Sequence, residues 1–140
     1  ITRLIPVLVA QGTYRLPYRW SDMALNTTPE QITYSTRTRW PEPTGLTSRI
    51  VVRPGRPLEA AAGGLERFLT ARWGLYSSFG RGLAYAPVDH PEWPLRQADL
   101  VELDDHLVTA AGYPTPTGDP LVHYSPGVPV RVGLPRRIQV

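Results

Sequence analysis

Sixteen prolines and twelve glycines are spread through 140 residues, and they fall between short apolar runs rather than in one tract. Proline brings no backbone N–H and glycine no side chain to pack, so neither extends a helix or a central strand. A chain punctuated this often is confined to short regular elements joined by tight loops. Residues 40–47, 54–64, 113–120 and 125–129 read as such loops, and none is long enough to separate two domains. One domain over residues 1–140 is expected, with 41% hydrophobic residues to fill its core.

Between the breaks the dominant period is two. Residues 31–40 place Ile32, Tyr34 and Trp40 against Thr33, Ser35, Arg37 and Arg39, a strand pattern rich in β-branched and aromatic residues. Residues 18–27 precede it, and Thr28, Pro29 and Glu30 supply a turn, so the two segments are expected to form a hairpin. Further strands are expected at 48–53, 74–79, 82–88 and 130–140, with Gly80, Arg81 and Gly82 as a tight connection. Two segments carry helical spacing instead. Leu65, Phe68 and Leu69 recur at three- and four-residue steps in 64–73, as an amphipathic helix would require. In 99–111, Leu100, Leu103, Leu107, Val108 and Ala111 recur in the same way, with Asp99 and Glu102 spaced like a capping box and Gly112 just past the end. A strand through 98–103 followed by a helix from Asp104 is the alternative, and both readings put helix in 104–111. Residues 1–11 fit a helix only if Pro6 lies in its first turn. The fold class is α+β, mainly antiparallel sheet with two or three short helices.

What the chain lacks narrows its chemistry further. There is no cysteine, which removes disulfides, thiolate metal sites and thiol nucleophiles. All fifteen basic residues are arginine, so no side-chain amine exists for a Schiff base and no lysine for a phosphate-binding loop. These arginines are dispersed, only Arg136 and Arg137 being adjacent, and with a net charge of +3 they make no nucleic-acid footprint. The longest apolar run, residues 4–10, is far short of a membrane span. No serine lies in a G-x-S-x-G elbow, and no glycine pattern matches G-x-G-x-x-G. No cofactor is expected. No export signal is visible, which reads as a cytoplasmic protein.

Two constellations remain. Residues 89–94 set Asp89, His90, Glu92 and Trp93 between two prolines that keep the segment out of a regular strand. His90 and Trp93 there either wall a pocket, as acid, base or apolar face, or form a rigid loop in which the tryptophan plugs the core and the histidine caps a carbonyl. His123 and Tyr124 enter a turn at Ser125–Gly127, and as neighbours on an extended chain they face opposite sides. The third histidine, His106, has no ligand partner at four residues, so no metal site is expected. Asp104 and Asp105 read as a solvated helix start.

The segments LPYRW (16–20), FLTARWGLY (68–76), VDHPEWPL (88–95) and VHYSPGV (122–128) resemble, in order and spacing, the YqjF-like family of uncharacterised bacterial proteins. That family is assigned to the acetoacetate decarboxylase-like superfamily, so the resemblance implies a partial or complete cone-shaped antiparallel β-barrel with flanking helices and a central cavity. It covers about residues 14–138 and corresponds to the C-terminal part of the family length, so an N-terminal portion of the family fold is expected to be lacking. Lysine-imine decarboxylation does not carry over to a chain without lysine. What does carry over is a cavity for a small carbonyl or carboxylate compound. Tyr76, His90, Trp93, His123 and Tyr124 are the candidate ligand-binding residues, with Arg53 and Arg72 as candidate anion partners. A lyase or hydrolase with a histidine general base, and a non-catalytic interaction module, are the alternatives. A homo-oligomer is compatible with all three.

Overall fold

The computed structural model describes residues 1–58, 64–79 and 82–138. Its architecture is α+β and mainly antiparallel, with one sheet curled into a half-barrel and three short helices. The elements run α1 (Leu4–Tyr14), β1 (Trp20–Thr27), β2 (Ile32–Trp40), β3 (Thr47–Pro57), α2 (Leu65–Thr70), β4 (Gly74–Phe79), β5 (Gly82–Asp89), β6 (Arg96–Asp105), α3 (Leu107–Ala110), β7 (His123–Tyr124), β8 (Arg131–Val132) and β9 (Arg136–Ile138). The larger sheet has the order β1-β2-β3-β6-β7, and in the smaller one β5 pairs with β4, β8 and β9.

The β1–β2 hairpin forms as the sequence predicts. Thr28 closes it by accepting the Gln31 N–H on Oγ1 and donating that hydroxyl to the Gln31 carbonyl. The strands at 48–53, 74–79 and 82–88 are also present, with ends extended by a few residues. Residue 1–11 ambiguity resolves as α1, with Pro6 in the first turn, where its missing N–H has no intrahelical partner to lose. Val7 and Ala10 are buried on one face of α1, and one turn further the Tyr14 hydroxyl donates to the Gly133 carbonyl. Among the described residues no helix is long and apolar enough to cross a membrane.

Four expectations need correction. Residues 54–57 are strand, not loop; β2 pairs with β3 only as far as Val52, so Pro54 and Pro57 lie where β3 has a neighbour on one side only and a missing N–H is tolerated. Residues 99–105 are strand, not one helix through 99–111; the alternative of a strand followed by a helix holds, with β6 running on to Asp105 and the helix confined to Leu107–Ala110. Val52 pairs with Leu100 and Val51 with Glu102, so Val101 is an extra residue, a β-bulge. The bulge lets Leu100 and Leu103 share one face of a strand although they are three residues apart. The C-terminal strand is two pieces, β8 and β9, interrupted at 133–135. Finally α2 is shorter than 64–73, and no residue of it is buried, Leu65, Phe68 and Leu69 included. The expected connection at Gly80 and Arg81, residues 59–63 of the expected loop, and residues 139–140 lie outside the described residues.

Candidate functional site

The seven candidate residues are not brought to one place. His90 follows β5, and Pro91 and Pro94 keep residues 90–95 irregular, as expected. Its ring lies between two indoles: Trp73 stacked at 5.9 Å with a 20° interplanar angle, and Trp93 edge-on at 5.9 Å. Nδ1 lies 2.7 Å from the Pro91 carbonyl and Nε2 lies 3.3 Å from the Arg72 carbonyl, so both ring nitrogens point at backbone acceptors. Arg67 and Glu92 close the outside with an ion pair. The hollow they enclose is about 30 Å³, room for about one water rather than an organic ligand. Arg72 lies over the Phe68 ring at 4.3 Å, and Tyr76 packs against its cross-strand partner Tyr85 at 5.1 Å.

A cleft of ligand size lies elsewhere, on the concave face of the curled sheet. Leu25 on β1 stands opposite Tyr34 on β2, Tyr34 opposite Ile50, Ile32 opposite Val52, Ile50 opposite Leu103 and Val52 opposite Leu100. Register therefore puts all seven side chains on one face. They form an apolar floor, walled by residues 120–126, around an open cleft of about 500 Å³. The opposite face carries the charges, with Arg39 paired to Asp22 and Arg49 to Glu102 at 2.9 Å. The Asp22 carboxylate, through its hydrogen bond and charge, holds the Arg39 guanidinium above its ordinary pKa.

Polar groups enter the cleft from Tyr34, His123, Tyr124 and Ser125. Tyr124 pairs with Arg96 and so shares a pleat with Ala98 and Leu100, whereas His123, opposite Gln97, belongs to the other pleat. Both border the cleft because β7 is a two-residue edge strand beside its wall. Among the three histidines, His90 is occupied by carbonyls, and His106 lies 3.2 Å from the Thr47 hydroxyl and 3.9 Å from Asp104. The His123 ring makes no hydrogen bond or ion pair with any described residue, and neither do the hydroxyls of Tyr34 and Tyr124. Arg53 lies on the charged face, one residue beyond the inward Val52, and Arg72 lies by α2. By register the cation beside the cleft wall is Arg96, whose Nε donates to the Gly55 carbonyl at 2.9 Å.

Sequence reading missed Tyr34 and Arg96. Tyr34 was legible as an inward position of an alternating strand, and a tyrosine there places a hydroxyl on an apolar floor. Arg96 had no local signal, because its place depends on pairing with β7. A second groove, about 630 Å³, runs between Ile1, residues 17–19, Leu46 and α3. Its one charged side chain, Arg19, already donates to the Pro41 and Pro43 carbonyls. Among the described residues no three His, Asp or Glu side chains come together as a metal site.

The family model DUF2071, described as an uncharacterized conserved protein, matches residues 1–129. The uncharacterized protein YqjF of Bacillus subtilis (strain 168) is 30% identical over 123 residues, 86% of this chain and 50% of YqjF. The chain thus spans about half the length of that relative. No solved structure matches it.

Proposed function

The chain belongs to the YqjF-like family DUF2071, and from that premise we propose that it binds a small carbonyl- or carboxylate-bearing molecule in the cleft of the curled sheet, without Schiff-base chemistry. The observation that carries this reading is His123, which lines an apolar cleft of about 500 Å³ with its ring free of any described partner. A free imidazole beside the Tyr34 and Tyr124 hydroxyls supplies donors for a carbonyl oxygen, and Arg96 supplies a cation for a carboxylate. The seven floor side chains suit a short aliphatic body. The half-barrel is read, from the family resemblance, as part of an acetoacetate decarboxylase-like barrel, and these 140 residues hold no lysine to form an imine.

Calorimetric titration with a panel of short aliphatic 2-oxo acids and aldehydes tests this. Saturable binding by one of them is expected, weakened about tenfold or more by His123→Ala, about 1.4 kcal/mol, and unchanged by His90→Ala. No saturable binder, or an affinity indifferent to His123, refutes the assignment. The same free ring favours a second reading, in which His123 is the general base of a lyase or hydrolase. Turnover of a bound compound that is lost in His123→Ala would select that reading; binding without turnover would select the first.

A further inference from the structure

We propose that the ligand of this cleft is an elongated aliphatic acid with a second oxygen far from its carboxylate, the carboxylate held at Arg96 and Tyr124 and the distant oxygen at Tyr34. The proposal rests on the cleft being the binding site, and adds the length and direction of what it binds. Strand pairing lays the cleft side of the sheet in successive rungs. Tyr34, Ile50 and Leu103 share one rung, and Arg96 with Tyr124 forms another. Along β6 these two are seven positions apart, and the bulge at Val101 takes one of them, so six strand steps of about 3.3 Å set them about 20 Å apart at the backbone. The rungs between, Val52 with Leu100 and Pro54 with Ala98, carry no polar side chain. Their order is fixed by the pairing, whatever else lines the cleft.

The donors therefore divide between two ends with an apolar stretch in the middle. At one end the Gly55 carbonyl takes Nε of Arg96 at 2.9 Å, which fixes the guanidinium and turns its two terminal nitrogens to the task of meeting both oxygens of a carboxylate. The Tyr124 hydroxyl, on the same pleat, adds a third donor there. At the other end Tyr34 is the one floor side chain with a polar atom, set among Leu25, Ile50 and Leu103. The Arg96 side chain and the two tyrosine rings reach into the span from either end, and an extended aliphatic chain fits the apolar rungs left between them. A short oxo acid satisfies one end and leaves the other to water.

Calorimetric titration of the whole chain with butanoate, octanoate, ω-hydroxyoctanoate and octanol tests this. Each methylene taken fully into the cleft is worth about fourfold in affinity, so octanoate should bind at least about tenfold tighter than butanoate. Octanol, with no carboxylate for Arg96, should bind about tenfold weaker than octanoate, and Arg96→Gln should close that gap. Tyr34→Phe should weaken ω-hydroxyoctanoate about fivefold and leave octanoate unchanged, because only the hydroxy acid presents an oxygen to the missing hydroxyl. Should Arg96→Gln fail to fold, octanoate against octanol on the unaltered chain decides that end. Binding of a short 2-oxo acid with no gain from chain length would overturn the proposal and leave the cleft as the binding site. Octanol binding as tightly as octanoate, or Tyr34→Phe weakening both acids equally, would overturn it in the same way. No saturable binding by any of these compounds or by the short oxo acids would overturn the proposal together with the reading beneath it.

Discussion

Ile32 offers the sharpest test of the curled sheet as a packed unit. It is the first residue of β2 and pairs with Thr27 on one side and Val52 on the other, with 8% of its surface exposed. Ile32→Ala removes three carbons, worth about 0.8 kcal/mol each when fully buried, so the transfer loss is about 2.2 kcal/mol. An unrelaxed void of about 80 Å³ would add about 1.9 kcal/mol at 24 cal/mol per Å³. The floor borders an open cleft, so water and neighbouring side chains can fill part of that void, and the total should fall near 2–3 kcal/mol. Urea unfolding followed by circular dichroism measures it, with the slope unchanged and the midpoint lowered. Leu121, on the cleft wall and 59% exposed, provides the contrast: Leu121→Ala should cost less than about 1 kcal/mol. A loss below about 1 kcal/mol at Ile32, with an unchanged slope, would refute the packed floor and the register that builds it.

The contact of β5 with the segment after β8 should be intolerant of added volume. A Cβ on Gly133 would stand 2.7 Å from Cγ of Pro87, a ring that cannot swing aside, so Gly133→Ala should destabilise by about 1–3 kcal/mol. Gly12, in α1 with open space around it, should instead stabilise by about 0.5–1 kcal/mol when changed to Ala, and equal effects at the two glycines would contradict this packing. His90→Ala should lower stability by about 1–3 kcal/mol, because it removes a ring held between two indoles and leaves the carbonyls of Pro91 and Arg72 without that partner. Thermal unfolding reads the loss. Weaker ligand binding in this variant, without loss of stability, would return His90 to the binding site.

Local chemistry made much of the fold legible. The turn at Thr28 and Pro29, the alternation through Ile32 and Tyr34, and the pattern of β4 all act over a few residues, within reach of a reading along the chain. Gly112 past the end of α3 has φ 87°, a left-handed conformation that glycine adopts without steric cost. Pro91 and Pro94 excluded a strand from 90–95 on the same local grounds.

Tertiary pairing decided the rest. Leu100 and Leu103 carry helical spacing, and only the ladder with β3 sets aside Val101 and turns that spacing into one face of a strand. Pro54 and Pro57 are strand residues because β2 ends beside Val52, a fact about a neighbour twenty residues away. The sequence by itself determined the class, most of the strands, the absence of thiol and amine chemistry and the two histidine-bearing segments. It could not separate those segments. Backbone carbonyls of Pro91 and Arg72 take the ring of His90, whereas β7 joins the large sheet and leaves the His123 ring at the cleft with no partner among the described residues. A side chain's type is written in the chain, but whether its polar atoms are already satisfied depends on groups brought near it by folding.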